Sequence, residues 1–367
     1  MRTLAVLGGG QLGWMLGLAA RDLGVDVRFL DPSPDATAAR VGPLTTASLD
    51  DVGSILEFTA GADAVTYEWE GVPGPTVRAL LDAGRCVRPG IDPLETAQDR
   101  LVEKRRLEAL GIPVAPHAAV DDLAALHRAV AEIGVPAILK TRRGGYDGKG
   151  QIVLRSEDGI DAAYAELAGA GPLILEGFVP FDREVSVIAA RTADGETRTW
   201  PLVTNEHRDG ILRRSRVVGD DPDLEALAVG HVTRLVTDLD HVGVLTLELF
   251  VVADRLVANE FAPRVHNSGH WTIEGAATSQ FANHVRAVLD LPLGPTERRD
   301  PVAMVNCIGR LPDPSAIATI EGATLHDYAK APRRGRKVGH ITVTAPDAAV
   351  LDARLAALEA VLPGDDG

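Results

Sequence analysis

Apolar runs alternate with amphipathic stretches along the first part of the chain. Residues 4–7 and 25–30 are rich in apolar side chains and are typical of buried strands, and an apolar helical stretch separates them. The pattern continues with a helix over Val52–Phe58, a strand over Ala64–Tyr67 and a helix over 75–83, which has Pro in its first turn. Strands that alternate with helices predict an open parallel α/β domain.

The alternation changes after about residue 90. A helix is predicted over 91–110, with most of its basic side chains on a solvated face. Proline and glycine then introduce a small α/β unit, followed by longer strands, a long helix and a final group of strands. These shifts predict three domains at 1–92, 93–295 and 296–367, with a small lid subdomain at about 113–180.

Charge and cysteine content narrow the class of protein. The 367 residues include 37 Lys and Arg against 52 Asp and Glu, a net charge of −15, which argues against a nucleic-acid partner. Cys86 and Cys307 lie far apart, so neither a disulfide framework nor a structural zinc site is expected. No apolar run has membrane-spanning length, and the first residues lack a signal-peptide pattern. We therefore expect a cytoplasmic enzyme without a membrane partner.

A glycine-rich turn lies between two apolar runs in the middle of the chain. Lys140 ends the first run, four glycines follow within 144–150, and the second run starts at Ile152. Exposed amides in such a turn form a concavity for anions, and Lys140 adds positive charge. The turn is not a Walker loop, because Arg143 and Gly150 stand where that motif requires Gly and Ser or Thr. A flexible hairpin tip is the alternative; we predict a phosphate-covering loop between strands.

A second glycine motif, Gly8-Gly-Gly-Gln-Leu-Gly13, follows the first strand. It satisfies the dinucleotide pattern, and Asp31 ends the next predicted strand as the acid that grips a ribose in that pattern. The physical requirement of the motif is less specific: an anion held by free amides at a helix N-terminus. We therefore predict that this turn holds a phosphate monoester and does not bind NAD.

Two acidic residues interrupt an apolar hairpin. Residues 244–252 are apolar or threonine except for Glu248, and a turn near Asp254 returns the chain through Glu260. A three-residue turn places Glu248 opposite Glu260, where the two carboxylates repel unless a cation lies between them. Separate Lys or Arg partners are the alternative. Hard oxygen ligands beside a phosphate loop favour Mg²⁺.

A polar loop follows this hairpin and contains Arg264, His266 and His270. Loops at the ends of buried strands often carry catalytic groups. The two histidines are ordinary surface residues in the simplest interpretation. Their position directly after the predicted metal ligands favours a functional role.

Several of these features together resemble the ATP-grasp ligases. The resemblance is carried by Lys140, the 144–151 loop, Glu176-Gly-Phe-Val179, Glu248 and Asn259-Glu260. It implies an ATP-grasp fold with an N-terminal open parallel α/β domain, similar to that of biotin carboxylase, and a small C-terminal α+β domain.

Four longer segments narrow the resemblance to the N5-carboxyaminoimidazole ribonucleotide synthetases of purine biosynthesis. They are Gly9-Gly-Gln-Leu-Gly13, the stretch 142–151, the stretch 259–272 and Gly335-Arg-Lys-Val-Gly-His340. The resemblance implies a homodimeric ligase that uses ATP, Mg²⁺ and bicarbonate to carboxylate 5-aminoimidazole ribonucleotide through carboxyphosphate. The first glycine turn would then hold the 5′-phosphate of the ribonucleotide.

The resemblance also assigns roles by position. It implies catalytic roles for Arg264, His266 and Lys337, and metal binding by Glu248 and Glu260. It implies ATP binding by Arg100, Lys140, Gly145, Tyr146, Asp147, Gly148, Lys149, Gly150, Gln151, Glu176, Gly177, Phe178, Val179, Glu184, His207, Asn259 and Glu260. It implies substrate binding by Gly10, Gln11, Leu12, Glu68, Tyr146, Asp147, Asn267, Arg336 and Lys337.

Three other functions compete with this one. A formate-dependent glycinamide ribonucleotide transformylase keeps the fold and changes the acceptor, although the loop 264–270 argues against it. A nicotinamide-dependent dehydrogenase leaves the second glycine loop and the pair Glu248 and Glu260 without a role. A non-catalytic nucleotide-binding module does not need the acidic pair.

Overall fold

The N-terminal part is a parallel sheet covered by helices. The computed structural model describes residues 2–145, 150–219 and 221–364. Its first elements are β1 (Thr3–Leu7), α1 (Gln11–Asp22), β2 (Asp26–Asp31), β3 (Leu44–Thr46), α2 (Val52–Phe58), β4 (Ala64–Tyr67), α3 (Gly74–Asp82) and α4 (Ile91–Ala97). The strands are parallel in the order β3-β2-β1-β4. Alternate residues of β1 enter two different apolar cores, so both faces of the sheet are covered and the predicted open parallel α/β domain is confirmed.

The predicted single helix over 91–110 is wrong. The structure has α4, and then α5 (Arg100–Ala109), with Asp99 between them in an extended conformation. The Asp99 carboxylate accepts hydrogen bonds from the amides of Leu101 and Val102, so it caps the second helix. The apolar period continues through the break, and therefore the sequence pattern concealed it.

A small antiparallel unit follows α5. It consists of β5 (His117–Val120), α6 (Leu123–Ile133), β6 (Ala137–Thr141), β7 (Gln151–Leu154), α7 (Ile160–Leu167) and β8 (Leu173–Gly177). The strand order is β5-β8-β6-β7. Ala137 and Leu139 of β6 pack against the two helices, so Lys140 points from the opposite face of the sheet.

A nine-stranded sheet forms the centre of the protein. Its strands and the accompanying helices begin with β9 (Arg183–Arg191), β10 (Thr197–Thr199), β11 (Val203–Arg208), β12 (Ile211–Val217), α8 (Pro222–Asp238), β13 (Gly243–Val252), β14 (Arg255–Ala262), α9 (Thr272–Gly275) and α10 (Gln280–Val288). The strand order is β14-β13-β9-β11-β12 on this side, and β10 pairs with β9. Helix α8 packs on the strands through a continuous apolar core.

The same sheet continues into the C-terminal part of the chain. The last elements are β15 (Val302–Ile308), α11 (Pro314–Ile317), β16 (Ala323–Asp327), β17 (Lys337–Thr344) and α12 (Ala348–Glu359). Strand β15 pairs with β12, and the order ends β15-β17-β16. The division at residue 296 therefore stays a prediction, because hydrogen bonds cross it. Within the described residues, no helix combines the length and the apolar character that a membrane crossing needs.

Candidate active site

The acidic pair faces across the hairpin of β13 and β14. Glu248 lies directly opposite Glu260, so the predicted pairing is confirmed. The predicted three-residue turn is wrong, because Val252 pairs with Arg255 and only two residues lie between them. A β-bulge after Glu248 shifts the register by one residue and restores the facing pair.

The two carboxylates have different electrostatic environments. Burial opposes ionisation of Glu248, but the pKa of its carboxyl is lowered by His266, which contacts it at 3.0 Å, and by the charges of His207 and Arg264. Loss of solvation and the charge of Glu248 both raise the pKa of Glu260. Because the Glu260 side chain is exposed, we attribute the raised pKa mainly to repulsion by the Glu248 carboxylate. A bound cation would relieve this repulsion. The pair thus concentrates negative charge at one point of the sheet.

The carboxylates of Glu248 and Glu260 suit Mg²⁺ better than they suit a metal ion whose ligands all come from the protein. No group of three or more His, Cys, Asp or Glu side chains, among the residues that the structure describes, is arranged to hold a metal ion. Mg²⁺ commonly uses one or two carboxylates and completes its octahedron with substrate phosphates and water. Glu248 and Glu260 supply carboxylates of this kind next to the nucleotide pocket described below.

A pocket opens between the antiparallel unit and the central hairpin. Glu176 at the end of β8 is buried, and its Oε2 accepts a hydrogen bond from Lys140 at 2.9 Å. Its other oxygen is buried without a partner among the described residues, so it can accept a hydrogen bond from an amine. Phe181 and Phe250 stack with ring centroids 4.6 Å apart. The pocket is lined by Lys104, Ala115, Ile138, Lys140, Glu176, Gly177, Phe178, Val179, Phe181, Phe250 and Asn259.

Lys104 is a pocket residue that the sequence did not reveal. The prediction placed most basic residues of this helix in solvent, but Lys104 is only 2% exposed. Its ammonium donates to the Asn259 carbonyl at 2.5 Å and lies 3.6 Å from Glu176. The available signal was its spacing of four residues from Arg100, which places both on one helix face.

Arg100 binds the backbone of the glycine-rich turn. Its guanidinium donates to the carbonyls of Thr141 at 2.9 Å, Gly144 at 2.6 Å and Gly145 at 3.1 Å. Gly150 has a positive φ, and a Cβ there would lie 2.9 Å from the Thr141 hydroxyl. Gln151 begins β7. The predicted site residues Tyr146, Asp147, Gly148 and Lys149 lie outside the described residues.

Glu184 and His207 come together from neighbouring strands. The imidazole Nδ1 contacts the Glu184 carboxylate, and although burial opposes it, this partner raises the pKa of His207. The charges of Glu248 and Lys337 also act on His207. The pair therefore lies between the acidic hairpin and the start of β17.

Two of the three predicted catalytic residues, Arg264 and His266, lie just after the end of β14, whereas Lys337 begins β17. The Nε and Nη2 atoms of Arg264 donate to the two carboxylate oxygens of Glu70, and the Nη2 distance is 2.8 Å. Its Nη1 atom donates to the Val265 carbonyl. Glu70 in turn has a lowered pKa, because Arg264 outweighs the opposing effect of burial. His266 lies beside both Glu70 and Glu248. Arg264 and His266 thus connect the acidic hairpin to the loop after β4.

Two other residues of this loop contact the C-terminal strands. Asn267 exchanges hydrogen bonds with Asn306 of β15, at 3.2 and 2.6 Å. His270 is fully buried, with its ring 4.8 Å from that of His340. Burial lowers the pKa of His270 well below its usual value. The interpretation of His270 as a surface histidine is therefore wrong.

The first glycine turn does not have the free amides that the sequence predicted. The amides of Gly10 and Gly13 donate to the two oxygens of Glu68, each at 2.5 Å. The Gly9 amide donates to Asp31 at 2.7 Å. The protein's own carboxylates therefore fill the positions of an anion, so the predicted free amides are wrong, and phosphate binding at this turn stays a prediction. Asp31 also accepts from the Ser33 amide at 2.8 Å, so each of its two oxygens already has a backbone donor.

A basic segment lies beside this turn. Lys330 donates to Gln11 at the start of α1. Burial, together with the charges of Arg336 and Lys337, lowers the pKa of Lys330 to about 8, against the opposing effect of Glu68. Three cations therefore gather next to Glu68 and Gln11. Leu12, the remaining predicted residue of the turn, packs against the adjacent apolar core.

Three family models match consecutive parts of the chain. A ribonucleotide synthetase preATP-grasp domain matches residues 1–98, and an ATP-grasp domain matches residues 105–281. A phosphoribosylaminoimidazole carboxylase C-terminal domain matches residues 302–354. These matches confirm the predicted fold class.

Known proteins resemble the chain over its whole length. The N5-carboxyaminoimidazole ribonucleotide synthase of Pseudomonas aeruginosa is 50% identical over 98% of this chain and 99% of that protein. The crystal structure of N5-carboxyaminoimidazole ribonucleotide synthetase from Thermus thermophilus superposes with a TM-score of 0.94, at 49% identity, over 98% of both chains. The Aspergillus clavatus enzyme, in complex with ADP and 5-aminoimidazole ribonucleotide, has a TM-score of 0.89 at 32% identity over 98% of both chains. The chain belongs to the N5-carboxyaminoimidazole ribonucleotide synthase family of ATP-grasp ligases.

Proposed function

We propose that the protein joins bicarbonate to the exocyclic amine of 5-aminoimidazole ribonucleotide at the expense of ATP. The observation that carries this proposal is a series of neighbouring charged groups. The charge of Glu68 acts on both Lys330 and Arg264, Arg264 pairs with Glu70, and His266 contacts Glu248, whose partner across the hairpin follows the pocket residue Asn259. A nucleotide, a small anion and a phosphorylated acceptor can therefore lie in line within one cleft.

ATP occupies the pocket between the antiparallel unit and the hairpin. The free oxygen of Glu176 and the backbone of 177–179 recognise the adenine amine and ring, while Lys140 binds a phosphate. Glu248 and Glu260 would hold Mg²⁺, which would supply neutralisation of the phosphate charge.

The chemical step needs a carboxyphosphate intermediate and a nucleophilic amine. A bicarbonate oxygen attacks the γ-phosphorus of ATP and ADP leaves, which forms carboxyphosphate. The amine nitrogen then attacks its carboxyl carbon, the carbon–oxygen bond to phosphate breaks, and the amine proton leaves with the phosphate. Arg264 stabilises the negative charge on the carboxyphosphate oxygens, because Glu70 holds its guanidinium in a fixed orientation.

The ribonucleotide lies with its 5′-phosphate at the basic segment. Lys330, Arg336 and Lys337 offer three cations there, whereas the amides of the first glycine turn are already used by Glu68 and Asp31. Gln11 lies beside Lys330 and can contact the sugar or the phosphate. This arrangement gives the glycine turn a positioning role and assigns phosphate binding to the C-terminal strands.

Two lysine variants, Lys140→Ala and Lys330→Ala, distinguish the proposed ATP site from the proposed site of the ribonucleotide phosphate. We expect Lys140→Ala to weaken ATP binding by about 10-fold or more, because a charged hydrogen bond contributes about 1.5–3 kcal/mol. It should leave the KM for the ribonucleotide within about twofold of wild type. Lys330→Ala should produce the reverse pattern. Calorimetry with an ATP analogue and steady-state kinetics measure the two effects, and equal losses in both variants would contradict the assignment.

ADP release tests the activity itself. At fixed bicarbonate, we expect rapid ADP formation with 5-aminoimidazole ribonucleotide and a much lower rate without it. The competing transformylase instead requires glycinamide ribonucleotide and formate. ADP formation that depends on formate and not on bicarbonate would refute the proposed reaction.

The family resemblance also implies a homodimer and a cytoplasmic location, which we include in the proposal. The cytoplasm supplies the ATP that the reaction consumes. Its reducing environment also suits the two unpaired cysteines, Cys86 and Cys307. Sedimentation equilibrium of the purified protein tests the dimer.

A further inference from the structure

A chain of buried hydroxyl and amide groups leads from the central sheet to His266. Ser215 on β12 donates to the carbonyl oxygen of Asn205 on β11 at 2.7 Å. The Asn205 amide donates to Ser186 on β9 at 2.9 Å, and Ser186 donates to Ser268 at 2.8 Å. Ser268 Oγ lies 2.9 Å from Nδ1 of the His266 ring. The three serines are fully buried, so this is an interior network and not a surface one.

The geometry at Nδ1 fixes its role as an acceptor. The backbone amide of Ser268 points at this nitrogen from 3.3 Å, and an amide N–H can only donate. The Ser268 hydroxyl already accepts from Ser186, so its own hydrogen is available for Nδ1. Two donors therefore converge on Nδ1, which must carry a lone pair. The ring hydrogen then lies on Nε2, 3.0 Å from the Glu248 carboxylate that accepts it.

Burial makes this arrangement hard to reverse. Each hydroxyl in the network both donates and accepts, apart from the terminal Ser215, and Asn205 uses both ends of its amide. Placing a hydrogen on Nδ1 would oppose two donors and leave buried polar groups unpaired, which is unfavourable in the interior. Asn205 and Ser215 are also direct partners in the strand register, so the network cannot shift along the sheet.

We propose that the Ser215–Asn205–Ser186–Ser268 network holds His266 as its Nε2–H tautomer, so that the ring presents a hydrogen-bond donor to the cleft and not a base. The assignment of a catalytic role to His266 rests on the proposed function. In that role the ring donates through Nε2 to the Glu248 carboxylate beside the cleft. The amine proton leaves with the phosphate, as described above, and is not taken by His266.

Nitrogen NMR of the intact protein tests the tautomer without any activity measurement. His284 is an internal reference, because its Nδ1 accepts from the Val244 amide and its Nε2 contacts the Thr66 hydroxyl. In protein labelled with ¹⁵N-histidine, we expect His266 to show a bare Nδ1 and a protonated Nε2, as His284 does. The His266 signals are assigned by their loss in His266→Gln. A protonated Nδ1, or protons on both nitrogens, would overturn the proposal.

Steady-state kinetics then test whether the His266 ring acts as a hydrogen-bond donor or as a base. Glutamine retains an amide donor but has no basic nitrogen, whereas leucine has neither. We expect His266→Leu to lower kcat by about 100-fold and His266→Gln by no more than about 10-fold, with the KM for ATP unchanged in both. Equal losses in the two variants would refute the donor role.

Variants of the network itself complete the test. Ser186→Ala should lower kcat several-fold while the KM for ATP stays at its wild-type value, and its Tm shows whether the fold is intact. An unchanged kcat in a folded Ser186→Ala variant would contradict the network's role. If wild-type protein shows the expected tautomer but no carboxylation, the proposed function fails and the tautomer assignment stands.

Discussion

Glu260→Gln is expected to lower kcat by about 100-fold or more while the protein keeps its fold. Glu260 faces Glu248 across the hairpin, and both lie next to the pocket that we assign to ATP. Replacing one of two carboxylate ligands weakens a Mg²⁺ site strongly, because few protein ligands hold this ion. The same change removes a charge that repels Glu248, so Tm should be equal to or higher than that of wild type.

The matched control lies in the turn of the same hairpin. Asp254→Asn removes a carboxylate from an exposed position that pairs with neither site residue, and it should leave kcat and the Mg²⁺ requirement unchanged. Mg²⁺ titration of ADP formation measures both variants. Near-normal turnover of Glu260→Gln at ordinary Mg²⁺ concentrations would show that the acidic pair is not the metal site.

Arg264→Lys is expected to lower kcat by about 100- to 1,000-fold with little change in ATP affinity. Arg264 uses two of its nitrogens on Glu70 and a third on the Val265 carbonyl, which fixes the plane of the guanidinium. A lysine ammonium is a single point of charge and cannot reproduce this fork. Stabilisation of developing negative charge depends on such a fixed orientation.

Two companion variants locate the cause of this loss. Glu70→Gln keeps Arg264 but removes the carboxylate that orients it, so a smaller fall in kcat is expected. Arg106→Lys is the control, because Arg106 also pairs with two acids, Asp92 and Asp238, but at the surface of α5. Rapid-quench measurement of the first turnover compares the three proteins. A kcat for Arg264→Lys within about threefold of wild type would exclude a role for the arginine in the chemical step.

The hydrophobic pattern predicted the elements that pack locally. The strand–helix alternation gave the parallel N-terminal sheet, and the apolar hairpin gave the facing pair Glu248 and Glu260. The prediction paired Glu248 with Glu260 correctly although it assumed a three-residue turn. The turn has two residues, and the β-bulge after Glu248 compensates for the missing one. A bulge is a backbone feature of two paired strands, and one strand's sequence does not encode it.

Contacts between distant segments were beyond the reach of the sequence pattern. Arg264 and Glu70 are 194 residues apart, and Lys104 and the Asn259 carbonyl are 155 residues apart. The same limit explains why the first glycine turn was predicted to have free amides. The pattern describes the turn and its amides, but the carboxylate that occupies them comes from Glu68, 58 residues from Gly10.

The pairing of β12 with β15 has a consequence for how the protein tolerates shortening. Strand β15 hydrogen-bonds to β12 along Arg214–Val217, and it is the link to β17, where Lys337 begins. A chain cut before β15 would lose the proposed phosphate anchor and turn β12 into an open edge. Unpaired backbone groups along such an edge are a template for pairing with another copy. The C-terminal strands therefore protect the catalytic sheet from self-association as well as completing it.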